Sequence, residues 1–323
     1  MRLLNRFTLA LLLGPAFNAP CFAGGAGGAS PFNFLFLDPN AGPAALGGAG
    51  VASAWDGNAP FYNPAGLGFL EKHEATFTHN QHVQGISQEY FGFVWDIGSD
   101  PGVRKKNREI KNDNGARIRH GWGMAFNILN YGSIKRTTLS NPDGAGLGKF
   151  EAKDFSIAAG YGRRVRDTIS LGFSGRIIEE TIDYEKVSAF AFDAGLMIKP
   201  EVFPVSFGLA VQNIGPRIKL KLERFELPLN AAAGAAWRFS KAGLIASAVN
   251  IPKTGGLTVH TGIEYSFFRT ITLRAGYNGR NEASNGITFG GGLKAGELFI
   301  DYALISYGDI GNSNRLSLTY RFR

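Results

Sequence analysis

The chain has 323 residues, of which 34 are basic and 26 acidic, so its formal net charge is +8. This modest excess is spread along the sequence, which argues against the concentrated basic surface of a nucleic-acid-binding protein. Forty-four glycines and 26 phenylalanines against three methionines indicate strands and turns. Beyond the N-terminus no apolar run approaches the ~18 residues of a membrane-spanning helix. The chain is therefore expected to be soluble or a membrane β-barrel, whose strands need only ~10 alternating residues.

The first 23 residues have the pattern of an export signal peptide. Two arginines precede a short apolar stretch, Phe7 to Leu13, and Cys21-Phe22-Ala23 provides a small-x-small cleavage pattern. Cys21 also raises the alternative of a lipoprotein anchor, but Asn18 and Pro20 fit poorly with the residues expected before a lipidated cysteine. Because Cys21 is the only cysteine, cleavage after Ala23 would leave neither a disulfide nor a thiolate metal site.

Residues 24–73 differ from the rest of the chain, because they contain little alternation and many Gly, Ala and Pro residues. The small residues from Ala44 to Ala54 predict a short helix, and the remainder is predicted to be irregular. The apolar cluster at Phe32 and Phe34 to Leu37 favours packing, since disordered segments are poor in aromatic residues. We therefore predict that residues 24–73 form an N-terminal plug; a flexible periplasmic lead is the alternative.

Residues 74–323 alternate between apolar side chains and polar or very small ones. From Arg315 to Phe322 the even-numbered residues are apolar and the odd-numbered ones polar, which places the two sets on opposite faces of a strand. The polar set includes Glu264, Arg274 and Asp301, which would be costly in the packed core of a soluble sandwich. Similar alternation occupies residues 122–128, 169–174, 203–212, 257–267 and 271–278.

About fourteen segments of this kind follow Glu74, an even number, as is usual in bacterial barrels. The predicted fold is therefore all-β: a transmembrane antiparallel β-barrel of about 14 strands, with the apolar face toward lipid and the polar face toward the lumen. Aromatic residues near the strand ends are typical of an interfacial girdle.

The connections between the predicted strands alternate in length. With a periplasmic C-terminus, the turns at 240–242, 268–269 and 294–296 fall on the periplasmic side and are short. The stretches 133–150, 213–227 and 278–286 fall outside and are longer. The basic stretch Ser99 to Arg119 falls on the periplasmic side by this count. Either the count is off by one near the start, or the barrel has one long inner loop.

No pattern typical of a catalytic or metal site stands out. The glycine clusters at 47–50 and 144–149 lack the spacing of a phosphate-binding loop, and Gly172 to Gly175 lacks that of a nucleophile elbow. The five histidines show no metal-ligand spacing, although His79 and His82 lie near each other. We expect no enzyme, no cofactor and no metal. A barrel hydrolase stays open as an alternative, because the convergence of Ser, His and a carboxylate cannot be read from sequence.

Several motifs resemble those of a known family. Residues 45–52 (ALGGAGVA), Asp56 and residues 61–67 (FYNPAGL) are similar to the N-terminal signature of the long-chain fatty acid transporter (FadL) superfamily of outer-membrane barrels. Residues 77–80, 88–90, 273–277, 300–303 and 315–322 look closer to its PorV/PorQ branch.

The resemblance implies a fourteen-strand barrel with an N-terminal plug in a Gram-negative outer membrane. By the same resemblance, the residues that would shape and seat the plug are Gly47, Gly48, Asp56, Tyr62, Asn63, Pro64 and Gly66. The alternative is that these residues only determine the fold of the first turn.

The resemblance implies two different functions. PorV-like members act in type IX secretion, where they bind cargo signal domains, whereas FadL-type members pass hydrophobic molecules sideways from the lumen into the membrane. The chain is shorter than typical FadL proteins and lacks their long extracellular loops. This favours a secretion-associated scaffold or cargo-handling protein of the PorV/PorQ type; the alternative is a FadL-type channel for the uptake of hydrophobic small molecules.

The two functions differ in the structure that they require. A transporter should have an apolar pocket that reaches a gap in the wall, whereas a scaffold should have a blocked lumen and an exposed apolar loop patch. The expected partners are outer-membrane lipid together with secretion-system components or hydrophobic small molecules, and no nucleic acid. A secreted soluble all-β protein is a third alternative, which membrane fractionation would test.

Overall fold

The computed structural model describes residues 31–98, 119–220 and 223–322. The predicted signal peptide, residues 1–23, lies outside the described residues. Sixteen strands occur in the described ranges: β1 (His73–Gln81), β2 (Ser87–Gly98), β3 (Arg119–Lys135), β4 (Lys149–Arg166), β5 (Ile169–Ile182), β6 (Glu185–Ile198), β7 (Val205–Ile214), β8 (Ile218–Leu220), β9 (Glu223–Phe225), β10 (Asn230–Trp237), β11 (Gly243–Pro252), β12 (Thr258–Phe267), β13 (Ile271–Asn278), β14 (Ile287–Ala295), β15 (Leu298–Ser306) and β16 (Asn312–Phe322).

Fourteen of these strands form a closed antiparallel barrel. Strand β1 pairs with β16 from His73 opposite Phe322 to Gln81 opposite Asn314, which closes the sheet. Strand β7 pairs with β10, because β8 and β9 between them form a separate two-stranded hairpin. The predicted antiparallel barrel of about 14 strands is confirmed.

The alternation in sequence decides which face of each strand is buried. In β16 Leu316, Leu318 and Tyr320 are exposed, while the alternating Arg315, Ser317 and Thr319 are buried. The exposed apolar set forms the outer wall of the barrel, and the polar or small set faces the lumen. Aromatic rings cluster where the barrel closes: His73 stacks on Trp95 at 3.9 Å, and Trp95 lies 6.2 Å from Phe322.

The barrel has two ends, which we name the C-terminal end, where Phe322 lies, and the loop end opposite to it. Short turns connect the strands at the C-terminal end, as predicted at 240–242, 268–269 and 294–296. Longer connections, at 136–148, 215–229 and 279–286, lie at the loop end.

The stretch Ser99 to Arg119 bears on the strand count. Gly98 and Arg119, which flank its undescribed part at 99–118, both lie at the C-terminal end. No offset in the strand count is therefore needed. Residues 99–118 themselves lie outside the described residues.

The N-terminal segment, which we define as residues 31–72, contains two short helices, α1 (Ala41–Ala45) and α2 (Ala59–Tyr62). Short 3-10 helices occur at Asn33–Phe36, Pro64–Phe69, Val83–Gly85 and Gly308–Ile310. The predicted helix from Ala44 to Ala54 is wrong. Helix α1 ends at Ala45 because Gly47 and Gly48 adopt φ values of 69° and 83°, which a right-handed helix cannot include. Among the described residues no helix is both long and apolar enough to cross a bilayer.

The N-terminal segment lies against the lumen side of strands around the barrel circumference. Its backbone approaches them at glycines, where an added Cβ would come within 2.1 to 2.6 Å of a segment atom. The contacts pair Leu67 with Gly121 of β3, Pro64 with Gly172 of β5, Val51 with Gly208 of β7, Leu46 with Gly262 of β12, and Ala45 with Gly290 of β14. At these five positions glycine therefore leaves room for the segment to approach the strand.

Candidate functional site

Asp38 joins two of the predicted residues to the closing strand. The Tyr62 hydroxyl donates a hydrogen bond to Asp38 Oδ1 at 2.6 Å, and a Cβ at Gly48 would lie only 2.7 Å from Asp38 Oδ2. Arg315 of β16 donates from Nη1 to the Asp38 carbonyl oxygen. Sequence reasoning missed Asp38, because its partner Arg315 is 277 residues away and nothing local indicates the contact.

Asn63 ties the N-terminal segment to two neighbouring strands. Its fully buried amide nitrogen lies 2.9 Å from the carbonyl oxygen of Val51, 3.2 Å from that of Leu196 and 3.3 Å from that of Leu209. Leu196 of β6 and Leu209 of β7 are register partners. One side chain therefore bridges the segment and the β6–β7 pair.

Pro64 and Gly66 shape the chain directly after Asn63. Pro64 begins the 3-10 helix, where its fixed φ is favourable and its missing N–H is not needed. A Cβ at Gly66 would lie 1.8 Å from the Ala54 carbonyl oxygen, so only glycine fits. The Asn-Pro-Ala-Gly motif thus forms a tight turn that presents the Asn63 amide to β6 and β7.

Gly47 and Asp56 lie apart from this turn. The Gly47 carbonyl oxygen is 2.6 Å from His260 Nδ1 of β12. Asp56 Oδ1 accepts hydrogen bonds from the backbone and side-chain nitrogens of Asn58, at 3.0 and 2.9 Å, and so closes a local turn. Beside that turn, the Gly57 N–H donates to Glu74 of β1 at 3.0 Å. The seven predicted residues therefore all lie in the segment but in separate contacts, and their role in seating a plug stays a prediction.

The ladder between β6 and β7 is interrupted at Asp193. Phe192 pairs with Ile214, but the next pair is Ala194 with Val211, so the register shifts there. Asp193 Oδ1 accepts a hydrogen bond from the Asn213 backbone N–H at 2.7 Å. Asn213 adopts a left-handed φ of 61°. A side-chain carboxylate thus replaces a backbone partner at this point of the wall.

Two side chains of β5 complete the surroundings of Asp193. Ser174 Oγ and Arg176 Nη2 each lie 2.9 Å from Asp193 Oδ2. The ion pair is buried, with 5% of the Arg176 side chain and 1% of the Asp193 side chain exposed. Removal of either side chain would leave the other as a buried charge without a counter-ion. The pair therefore stabilises the junction of β5, β6 and β7.

An apolar cluster lies at the loop end on the lumen side of the same strand. Val187 and Ala191 of β6 contribute to it, and both lie on the same face of the strand as Asp193. Ile218 and Leu227, from the β8–β9 hairpin region, belong to it, and Phe225 packs against it. Its buried members are Phe32, Phe34, Leu35, Leu129, Ile178, Val187, Ala191, Ile218 and Leu227.

Cavities lie at both ends of the lumen. A cavity of about 30 Å³ near the loop end is lined by Tyr62, Arg176, His260 and Arg280, among others. Toward the C-terminal end two cavities of about 560 and 640 Å³ open. The first contains Arg274, whose Nε lies 2.7 Å from Glu264 and whose Nη1 lies 2.5 Å from Asp301. These are the inward charges expected from the sequence.

The chemistry-bearing side chains do not converge on a metal site within the described ranges. No group of three or more His, Cys, Asp or Glu residues there is arranged to hold a metal ion. His79 pairs with Glu89 at 2.6 Å, and His82 contacts Gln88 and Ser313. The two neighbouring histidines therefore have separate structural partners.

The fold resembles that of solved outer-membrane barrels. No family model matches the chain, and no curated protein matches it. The toluene transporter TodX of Pseudomonas putida is 13% identical, with a TM-score of 0.51 and coverage of 88% of this chain and 96% of that one. A FadL homologue of Pseudomonas aeruginosa is 16% identical, with a TM-score of 0.53 and coverage of 88% and 98%. At these identities, the likeness extends to the fold: this chain has a FadL-like fourteen-strand barrel.

Proposed function

We propose that the protein is an outer-membrane channel of the FadL type for hydrophobic small molecules, with residues 24–73 as its plug. The observation that carries the proposal is the apolar cluster on the lumen side of β6, next to the interrupted ladder at Asp193. The sequence favours a PorV/PorQ-type scaffold and leaves this channel function as the alternative. The similar solved structures include a toluene transporter and a FadL homologue, and they support it better than a PorV/PorQ-type secretion role.

The outer wall supports a membrane location. Phe207, Leu209, Leu273, Phe289 and Leu316 each keep 46 to 56% of their surface exposed, although they are large and apolar. A contiguous apolar surface of this kind needs a cover, and the outer face of a transmembrane barrel is covered by lipid. The proposal implies a Gram-negative outer membrane, export by the signal peptide of residues 1–23, and no enzymatic step.

The route through the protein follows from where apolar and charged groups lie. A hydrophobic solute that enters at the loop end meets the apolar cluster first. Farther along the lumen, the charges of Glu264, Arg274 and Asp301 oppose its passage. A sideways exit between β6 and β7 avoids these charges. Phe192 and Ile214 are exposed on the outer face of that junction, so an apolar surface continues there.

Asn63 links the plug to this exit. Its amide contacts the carbonyl oxygens of Leu196 and Leu209, which lie on the two strands that would separate. In addition, Gln212 of β7 donates from Nε2 to the Phe61 carbonyl oxygen at 2.7 Å. Movement of the N-terminal segment would release both contacts. We therefore propose that displacement of the plug and opening of the β6–β7 wall are coupled.

Uptake of a hydrophobic dye tests the proposal. N-phenylnaphthylamine fluoresces once it reaches a membrane interior, so its rate of entry can be followed in a Gram-negative host that lacks such a channel. Ala189 packs against the apolar cluster on the lumen side, and Ala189→Phe should narrow the route and reduce uptake to background. Ala233→Phe adds the same bulk to the exposed face of β10 and should leave uptake unchanged. Equal uptake by host cells with and without the protein would refute the channel.

A secretion-associated scaffold of the PorV/PorQ type is a second candidate, which one observation favours. A blocked lumen is what a scaffold needs, and the N-terminal segment approaches β3, β5, β7, β12 and β14 closely from the lumen side. Exposed apolar side chains at the loop end, Leu139 and Tyr184, would supply a contact surface. Copurification of secretion-system components from native membranes would support this role, and their repeated absence would remove it.

A further inference from the structure

A cavity of about 640 Å³ lies at the C-terminal end, where the N-terminal segment meets the β6–β7 turn. The segment contributes Trp55 and Phe69, and the turn contributes Lys199 to Pro204. Arg238, which follows β10, lies on the opposite side. The apolar cluster and the interrupted ladder at Asp193 are not part of this cavity, which therefore needs its own explanation.

Lys199 is a partly buried cation without a carboxylate partner. Its Nζ lies 4.6 Å from the centre of the Trp55 ring and 5.9 Å from that of Phe69. Within the described ranges no carboxylate oxygen lies within 4 Å of it. Burial lowers the pKa of Lys199, Glu71 opposes this effect, and the charges of Arg238 and Arg164 lower it further. The surroundings thus disfavour the ammonium unless an anion joins them.

Arg238 faces the same cavity and likewise forms no ion pair with the described residues. The carboxylates of Glu71, Asp167 and Glu201 line the cavity too, and so do the guanidinium groups of Arg119 and Arg164. Two cations that repel each other across a shared space are stabilised when an anion lies between them. Phosphate suits such a pair, because its oxygens accept from both a guanidinium and an ammonium group.

The lining also reaches over the rim of the barrel to its outer face. Val205 and Ser206 are consecutive residues of β7, so their side chains point to opposite faces, yet both line the cavity. Val202 and Phe203 in the adjacent turn are 84% and 60% exposed. Phe207 continues the apolar surface along the outer wall. An occupant with a charged head and an apolar tail could therefore place its head in the cavity and its tail along β7.

We propose that this cavity is a binding site for the phosphate headgroup of an anionic membrane lipid, held by Lys199 and Arg238 with its acyl chain along β7. The lipid would contact both the N-terminal segment, through Trp55, and the barrel wall. It would therefore hold the two together at the C-terminal end. This inference rests on the proposed membrane location but not on channel activity.

Binding of short-chain lipids to the full protein in an uncharged maltoside detergent tests the site. Titration calorimetry would compare dioctanoyl phosphatidylglycerol, dioctanoyl phosphatidylcholine and inorganic phosphate. We expect saturable binding of phosphatidylglycerol, and weaker binding of the other two. Lys199→Gln together with Arg238→Gln should weaken phosphatidylglycerol binding about tenfold or more, as expected for the loss of charge-assisted hydrogen bonds.

Lys294→Gln is the matched control, because Lys294 lies at the same end with its Nζ 5.3 Å from the centre of the Phe299 ring. It lines the neighbouring cavity and should not affect binding. Equal affinity for phosphatidylcholine would overturn the anionic headgroup, and equal affinity for inorganic phosphate would overturn the lipid. An equal loss of binding in Lys294→Gln would overturn the location. None of these outcomes depends on dye uptake, so the site and the channel can fail separately.

Discussion

The Asp193 carboxylate accepts a hydrogen bond from the Asn213 backbone N–H at 2.7 Å, at the point where the β6–β7 register shifts. The same carboxylate holds Arg176, which is buried on the lumen side. A single side chain thus closes the wall between two strands and neutralises a buried cation. Asp193 therefore has two separate roles at this junction.

Asp193→Ala should destabilise the barrel strongly, because Arg176 would remain buried without a counter-ion. The expected loss is about 3–5 kcal/mol, as for other buried pairs that lose one partner. The temperature at which the folded band disappears in a heat-modifiability gel would measure it. Glu179→Ala, which breaks the exposed pair with Lys186, should cost only about 0–1 kcal/mol. Equal shifts for the two variants would contradict the role of Asp193.

Asn63→Ala should loosen the N-terminal segment. The variant removes the donor to the carbonyl oxygens of Val51, Leu196 and Leu209, and each lost hydrogen bond is worth about 1 kcal/mol. Hydrogen exchange of residues 46–70 should therefore become faster. Asn58→Ala is the control, since the Asn58 side chain bonds only to Asp56 of the same turn. Unchanged exchange in Asn63→Ala would mean that this amide does not anchor the segment.

Gly208→Ala should displace the segment from β7. The new Cβ would lie 2.1 Å from the Val51 carbonyl oxygen, and neither backbone can absorb such an overlap without movement. Conductance of small ions in planar bilayers should rise as the lumen opens. Gly291→Ala is the control, because it is the same substitution in another barrel strand. Its Cβ would lie 3.6 Å from the nearest atom, the Thr272 carbonyl oxygen, which is an ordinary contact. Its conductance should equal that of the unmodified protein; a rise in both variants would argue against contact with the segment.

The turn between β1 and β2 should open in acid. Burial, and then the charge of Arg315, lowers the pKa of His82 to about 4. Because the unfolded turn has the ordinary pKa near 6.5, only the unfolded form takes up a proton as the pH falls from about 6.5 to about 4. The free energy of opening the turn is therefore highest above pH ~6.5, and it falls by up to about 3 kcal/mol by pH ~4. Hydrogen exchange at residues 82–86 would measure this loss, and His82→Gln should abolish its pH dependence.

The strand pattern could be predicted from sequence, because alternation is a local property. In β16 the apolar and polar residues separate as expected, since lipid-facing and lumen-facing positions differ in chemistry. The β8–β9 hairpin could not be predicted. Its two strands of three residues each are too short to display alternation, and they lie within the longer connection expected at 213–227.

The candidate site was only partly predictable. Asn63 and Gly66 belong to a recognisable motif. In the structure Asn63 makes long-range hydrogen bonds, and Gly66 packs closely against Ala54. Asp193 had no such signal, because a register shift depends on the partner strand and not on the residue itself. Asp38 depends in the same way on Arg315, far along the chain. Contacts between distant segments determine these roles, and a single sequence does not display them.

We infer that the N-terminal segment closes the lumen and must move for a hydrophobic solute to pass. A disulfide between Gly57→Cys and Thr76→Cys tests it directly, because a Cβ at Gly57 lies 3.6 Å from the Thr76 Cβ, within the range of about 3.5–4.5 Å for disulfides. Ser266→Cys with Thr272→Cys, whose hydroxyls lie 2.9 Å apart, is the control within the barrel wall.

Dye uptake is then measured for both double variants before and after reduction. The oxidised Gly57→Cys/Thr76→Cys protein should take up no N-phenylnaphthylamine above background, and a thiol reductant should restore its uptake, while the control should be active in both states. Full uptake by the oxidised, verified disulfide form would contradict the claim that the segment must move.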